Sequence, residues 1–201
     1  MDAMQWLYSD IVLDHFKNPR NVFDPDEQFA YDAEGTVGNV KCGDQMMFML
    51  RIGDDDVIRD VRWRTYGCAS AIASTSMLSE VTKGLHIREA YNLKPEDIAT
   101  RLGGLPDNKI HCSVLGDKAL RAAIDAWLEK TGRAGLYRNE GATVICTCLN
   151  ITDRDIETAV REGARNWEQL QERTKIGTVC GGCKVKGEAL LHEYVHIFGE
   201  E

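Results

Sequence analysis

The chain has 201 residues, a formal net charge of −8 and 43% hydrophobic residues. That apolar fraction suffices for one packed domain or two small ones, and no apolar run approaches the roughly 20 residues of a membrane-spanning helix. The acidic balance argues against nucleic acid as a partner, because proteins that bind it usually carry a basic excess. The start, MDAMQW, has neither the basic nor the apolar region of a secretory signal, so we expect a cytoplasmic location.

Helical spacing of apolar residues recurs along the first 130 residues. A first helix is predicted to end before Pro19, because the residue that precedes a proline avoids the helical conformation. Residues 69–83, rich in alanine and serine, predict a helix that can lie close to a sheet. Further helices are expected over residues 95–102 and after Cys112, the latter with Leu120, Ile124, Trp127 and Leu128 as its apolar stripe.

Residues 35–67 predict the sheet. Alternation places Met46, Phe48, Leu50 and Ile52 on one face of a strand and Met47 and Met49 on the other. After an acidic turn, Val57, Val61 and Trp63 are expected to share a face of the next strand. Three antiparallel strands in a meander fit this pattern.

Residues 132–141 contain three glycines and show no periodicity, which indicates a linker. It would separate a first domain, residues 1–131, from a second, residues 142–201. A domain of roughly 60 residues buries little apolar surface and often depends on a metal or another crosslink for stability. The second domain also contains four of the seven cysteines.

These four cysteines form two close pairs, Cys146-x-Cys148 and Cys180-x-x-Cys183. In a cytosolic protein such pairs are more often metal or redox ligands than disulfides. Four thiolates in this pattern can hold one tetrahedral zinc ion or one small iron–sulfur cluster. The spacing alone leaves zinc open, although C-x-C pairs are rarer in structural zinc sites and favour a cluster.

The other three cysteines, Cys42, Cys68 and Cys112, lie far apart in the sequence. Cys68 and Cys112 each precede a predicted helix, where the helix dipole and free N–H groups favour a thiolate. The residues alone leave two interpretations open, a metal site and three buried core cysteines.

Longer motifs carry a family resemblance. Residues 6–130 resemble the IscU-type scaffold family through YSD at 8–10, HFKNPRN at 15–21, CGD at 42–44, GCASAIASTS at 67–76 and HCSV at 111–114. Residues 144–191 resemble the bacterioferritin-associated-ferredoxin-like [2Fe–2S] domain through ICTC at 145–148 and CGGC at 180–183. Their succession in one chain resembles the NifU type of iron–sulfur cluster assembly scaffold.

The resemblance implies an α+β fold: an IscU-like domain with a three-stranded antiparallel sheet packed by helices, then a small, mainly helical [2Fe–2S] domain. It implies that Cys42, Cys68 and Cys112 hold a transient cluster, or iron or zinc. Asp44 would make that cluster labile, His111 would be an alternative ligand, and Lys109 would pair with Asp44 or a thiolate. The ligands of a stable [2Fe–2S] cluster would be Cys146, Cys148, Cys180 and Cys183.

The implied partners are a cysteine desulfurase, apo iron–sulfur acceptor proteins and a second copy of the chain. Sulfur mobilisation would belong to the desulfurase, so this chain is expected not to be an enzyme. Two features depart from the family. First, NifU proteins usually have a third, C-terminal Nfu domain, and this sequence reaches Glu201 without one, as expected of a shorter or truncated variant. Second, residues 105–109 read LPDNK where IscU proteins have the chaperone-recognition motif LPPVK.

Two alternative functions remain at this point, an electron carrier that uses only the C-terminal cluster and a zinc-binding interaction module. A further motif, HEYVH at 192–196, fits the H-E-x-x-H pattern of zinc proteases. It lacks a downstream third ligand, and we interpret it as the polar face of a terminal helix.

Overall fold

The computed structural model describes residues 8–38, 45–105 and 110–198, with the backbone alone at 110–113. The chain divides into two compact units, Met1–Leu136 and Tyr137–Glu201. The expected linker, residues 132–141, consists mainly of turns and contains the boundary between the units.

The N-terminal unit is built on the meander β1 (Ala33–Val37), β2 (Met46–Ile52) and β3 (Ile58–Thr65), paired antiparallel in that order. This confirms the expected sheet. A bulge at Arg59 shifts the register of the β2–β3 pairing. Arg51 pairs with Asp60, whereas the next residue, Ile52, pairs with Ile58. Ile58 therefore occupies the core, fully buried with Val61, and the prediction that Val57 shares this face is wrong.

The middle of the second face of the sheet is also covered. Met49 is only 2% exposed although alternation places it opposite the main core. On that face the guanidinium groups of Arg51 and Arg62 lie 5.2 and 4.7 Å from the centroid of the Phe29 ring. The Phe29 segment thus shields the middle of β2 from solvent, which a period-two pattern cannot indicate.

Five helices complete the described part of this unit: α1 (Asp10–Lys17), α2 (Ala69–Thr82), α3 (Ile87–Tyr91), α4 (Pro95–Arg101) and α5 (Ile110–Lys130). Helix α2 buries small polar side chains. The Ser76 hydroxyl accepts the N–H of Arg20 at 2.9 Å and lies 2.8 Å from Nδ1 of the buried His15. These bonds tie α1 and the loop after it to α2.

Helix α5 packs directly on β1. A Cβ at Gly35 would lie 2.2 Å from the backbone nitrogen of Ala123, so only glycine permits this approach. The expected apolar stripe of α5 is largely confirmed, since Leu120, Ile124 and Leu128 are fully buried. Trp127 is half-buried, and its indole N–H donates to Asp56 Oδ1 at 2.9 Å.

Asp56 anchors the end of the N-terminal unit. Arg133 donates from both terminal nitrogens to the two carboxylate oxygens, with an Nη2 to Oδ1 distance of 2.8 Å. These bonds from Arg133 lower the pKa of Asp56 to about 2, and the bond from Trp127 assists. The carboxylate thereby joins the β2–β3 turn to the segment that follows α5.

The C-terminal unit contains a short hairpin, β4 (Val144–Cys146) and β5 (Ile151–Thr152), followed by α6 (Asp153–Arg161), α7 (Trp167–Thr174) and α8 (Lys184–Phe198). Thr152 and Asp155 form a capping box at the start of α6. The core of the unit comprises Ile156, Val160, Leu170, Ile176, Leu191, Tyr194 and Ile197. Across the described ranges of the chain, no helix is long and apolar enough to cross a membrane.

Candidate metal centres

Two loops of the C-terminal unit bring its four cysteines together. Cys146 ends β4 and Cys148 lies in the turn after it, whereas Cys180 lies in the loop after α7 and Cys183 immediately precedes α8. The Sγ atoms of Cys148 and Cys180 are 3.4 Å apart, and the thiols of Cys146 and Cys183 are close enough to shift each other's pKa. Each pair therefore takes one cysteine from each loop.

The two sulfur pairs differ in exposure. Cys146 and Cys183 are buried, whereas Cys148 and Cys180 are exposed. One pair thus belongs to the core of a small unit, and the other lies at its surface.

Backbone N–H groups make one thiol of each pair the more acidic. The N–H of Gly177 donates to Cys146 and lowers its pKa, and the N–H of Gly182 does the same for Cys180 at an N to Sγ distance of 3.4 Å. The partner thiols shift upward: the bond to Cys180 raises the pKa of Cys148, and burial raises that of Cys183. The loops therefore favour one thiolate in each pair before any metal is present.

Trp167, which sequence reasoning missed, supports the second cysteine loop. A Cβ at Gly177 would lie 3.0 Å from Cζ2 of this indole, and one at Gly187 would lie 2.8 Å from its Cζ3. The side-chain amide of Gln171 also donates to the carbonyl of Ile176 at 2.9 Å. The available signal was Gly187, which lies inside α8, because a glycine within a helix often permits close packing.

The distance between the sulfur atoms bears on whether the thiols can hold zinc or an iron–sulfur cluster. Two thiolates on one tetrahedral metal lie about 3.8 Å apart when the metal–sulfur bonds are about 2.3 Å. The 3.4 Å between Cys148 and Cys180 is close to that separation. Among the residues that the structure describes, no three His, Cys, Asp or Glu side chains converge as a site for one ion. The separation of the Cys148–Cys180 pair suits two thiolates on one metal, in a zinc site and in an iron–sulfur cluster alike.

Only one cysteine of the N-terminal set has a described side chain. Cys68 is the exposed N-cap of α2, directly after β3, and its carbonyl accepts the N–H of Ile72 at 3.0 Å. The predictions for Cys42, Asp44 and Lys109 lie outside the described residues, as do those for the side chains of His111 and Cys112.

The backbone does correct the expected position of Cys112. Helix α5 begins at Ile110, so this cysteine lies inside the first helical turn and not before the helix. The free N–H groups of a first turn remain close to it. In the C-terminal unit, His192 and His196 are exposed on α8, in agreement with a polar helix face.

Comparison with known proteins gives two family matches. Residues 7–134 match the model described as the NifU-like N terminal domain, and residues 144–193 match the BFD-like [2Fe-2S] binding domain. The chain is 37% identical over 193 residues to the nitrogen fixation protein NifU of Trichormus azollae, covering 94% of this chain and 64% of that protein. It thus spans less than two thirds of the length of this relative.

Shorter relatives align with the first unit. The iron-sulfur cluster assembly scaffold protein IscU of Aquifex aeolicus is 49% identical over 133 residues, which are 65% of this chain and 82% of that protein. The protein of the same name from Escherichia coli K12 is 45% identical over 123 residues, which are 61% of this chain and 95% of that protein. With the NifU-like model matching more than half of its length, the chain belongs to the family of NifU-like N-terminal domain proteins, and it carries a BFD-like [2Fe–2S] binding domain behind that domain.

Proposed function

We propose that this chain is a scaffold on which iron–sulfur clusters are assembled and from which they are handed on. One observation carries the proposal: a NifU-like domain over residues 7–134 presents Cys68 at the exposed start of a helix. A thiolate at a helix N-terminus is stabilised and accessible to incoming iron and sulfur. No catalytic centre of its own is required, because a partner desulfurase supplies the sulfur.

The transient cluster is the cargo of this scaffold. In this proposal Cys42, Cys68 and Cys112 bind it, with His111 as an alternative ligand. Asp44 lies two residues after Cys42 and offers a carboxylate, a harder ligand that matches iron–sulfur centres poorly. Such a mixed ligand set would release its cluster more readily than four thiolates. Lys109 would neutralise Asp44 or a thiolate when the site holds no cargo. A homodimer and apo iron–sulfur acceptor proteins complete the proposed partners.

The C-terminal unit is proposed to keep a [2Fe–2S] cluster on Cys146, Cys148, Cys180 and Cys183. When bound, this cluster supplies one-electron chemistry. The protein contributes four cysteines, of which Cys148 and Cys180 have their sulfurs at near-ligand separation, and backbone N–H groups that donate to Cys146 and Cys180 and favour their ionised form. The match of residues 144–193 to the BFD-like [2Fe-2S] binding domain supports this cluster over the zinc alternative.

The decisive experiment is anaerobic reconstitution with iron, cysteine and a cysteine desulfurase, followed by transfer to an apo-ferredoxin. Cys68→Ala should abolish the transferable cluster and keep the stable one. Cys148→Ser, a matched loss of one exposed thiol, should impair the stable cluster and keep desulfurase-driven assembly. Wild-type protein that forms no transferable cluster would exclude the scaffold and leave the electron carrier. Colourless protein containing one zinc per chain would favour the interaction module.

A further inference from the structure

Exposed apolar side chains of the C-terminal unit are concentrated around its cysteines. In the described part of this unit, the exposed large hydrophobic residues are Val144, Leu149, Val179 and Val185, the last two 66% and 80% exposed. Each lies within two residues of one of the four cysteines. We call these four residues the apolar rim. Grouped exposed apolar residues mark interaction sites more often than scattered ones do.

The segments that carry the four cysteines are free of carboxylates, and the second of them carries three lysines. Residues 142–152 contain no charged side chain, and residues 174–187 contain Lys175, Lys184 and Lys186 without a carboxylate. All three lysines are exposed. Lys184 lies 3.7 Å from Glu188, but both side chains are largely solvated, so this pair neutralises little of the charge. The formal net charge of the whole chain is −8, so residues 174–187 form a basic exception.

We propose that the apolar rim and these three lysines form the docking surface for an acidic one-electron carrier protein. The inference rests on the proposed [2Fe–2S] cluster of this unit. Because Cys148 and Cys180 are exposed and their sulfurs are 3.4 Å apart, a carrier docked over them would lie next to the proposed ligand sulfurs. When the cluster is bound, the reduced carrier would supply one electron to it and would itself be oxidised by one electron, with no bond made or broken.

Charge and apolar contact have separate roles at such a surface. The lysines attract an acidic partner, and the acidic remainder of the chain repels it from other faces, which orients the encounter. The valines lose exposed apolar area on docking, which contributes to affinity without salt dependence. The proposal therefore predicts two kinds of variant with different responses to ionic strength.

The test uses the full reconstituted chain and an acidic plant-type [2Fe–2S] ferredoxin, with Kd measured by calorimetry at low and high salt. Wild-type Kd should rise with salt. Lys184→Gln with Lys186→Gln should raise Kd about fivefold at low salt and less at high salt. Lys17→Gln with Lys130→Gln, an equal loss of charge in the N-terminal unit, should leave Kd unchanged.

The apolar half is tested with Val179→Ser and Val185→Ser, which together should raise Kd about tenfold at both salt concentrations. The control is Ile11→Ser with Val22→Ser. These two aliphatic residues of the N-terminal unit are 44% and 40% exposed. Equal Kd values for the loop and control variants, or a wild-type Kd that falls as salt rises, would overturn the proposal. So would a change of oligomeric state in the valine variants, because a second copy of the chain would then occupy the surface.

Cluster absorbance recorded on the same samples separates the two proposals. Samples that lack the [2Fe–2S] spectrum contradict the proposed cofactor, whereas cluster-loaded samples without specific binding contradict only the docking surface.

Discussion

Gly35→Ala is expected to disrupt the N-terminal unit more than any surface glycine replacement. The added Cβ would lie 2.2 Å from the nitrogen of Ala123 and 2.3 Å from the carbonyl oxygen of Ala119. An ordinary contact distance is about 3.5 Å, so helix α5 must retreat from β1 by about 1 Å. The obstructing atoms belong to the backbone of a helix, and no side-chain rotation can relieve the overlap.

The size of the destabilisation depends on the contacts that α5 makes with the sheet. A radial gap of about 1 Å forfeits roughly half of the dispersion energy of the atoms that face it. Overpacking usually lowers the free energy of unfolding by about 1–3 kcal/mol. Side chains that change rotamer keep this loss small, and that adjustment does not help against a helix backbone. We therefore expect Gly35→Ala to lower the free energy of unfolding by at least about 3 kcal/mol, measured by urea denaturation followed by circular dichroism.

Gly84→Ala is the matched control. This residue has φ +84° and no atom within 4 Å of the position that an added Cβ would take, so the replacement tests backbone strain alone. It should cost about 1–2 kcal/mol, because alanine adopts a left-handed conformation only with difficulty. A Gly35→Ala variant no less stable than Gly84→Ala would refute the argument from close helix–strand approach. Since α5 also carries Cys112, the same variant should assemble transferable clusters more slowly than Gly84→Ala.

Two further predictions concern other parts of the chain. Trp167→Ala removes the half-buried indole that lies on Gly177 and Gly187; we expect a loss of about 2 kcal/mol in the C-terminal unit and faster decay of its cluster absorbance, with Trp167→Phe close to wild type. Equal decay rates would contradict this. Asp56 has a pKa of about 2 in the folded state, so its bond to Arg133 stabilises fully above the usual pKa of 3.8 and is lost as pH falls towards 2. Asp56→Asn should thus cost about 1–2 kcal/mol at pH 7, and the difference from wild type should shrink between pH 5 and 2 in acid titrations of unfolding. A difference that does not change with pH would exclude this origin.

Local patterns predicted the strands of the sheet but not all of the side chains that each face buries. Alternation over 46–52 and 57–63 indicated two strands, and both are present. The bulge at Arg59 moved Ile58 into the core in place of Val57, because one unpaired residue reverses the alternation. The burial of Met49 depends on Phe29, which is distant in sequence, and no periodicity reports such a contact.

The candidate sites divide in the same way. Short spacings within each loop led to the prediction that the four C-terminal cysteines are ligands. They could not indicate that Cys148 meets Cys180 across two loops, because that contact depends on how α7 and α8 pack. Trp167 was missed for the same reason: its two glycine contacts lie 10 and 20 positions further along the chain. The N-terminal set was recognised through long family motifs, since its three cysteines have no informative spacing.

The two units differ in what a cluster contributes to their stability, and this bears on the proposed division between cargo and resident cofactor. The N-terminal unit has a three-stranded sheet with a buried face and a 21-residue helix packed on it, so it has an extensive apolar core of its own. The C-terminal unit has roughly 60 residues, near the size at which a domain needs a crosslink.

Within this smaller unit, Cys146 and Cys183 are themselves core residues, and the sulfur pairs join the two loops. Metal binding and folding are coupled in such domains, so part of the binding free energy appears as folding free energy. Loss of the proposed cluster from the C-terminal unit would therefore also cost local structure, which would make its dissociation unfavourable. Release of the proposed cargo from Cys68, an exposed residue at a helix start, would disturb the fold of the N-terminal unit less, as a site that hands on its cargo requires.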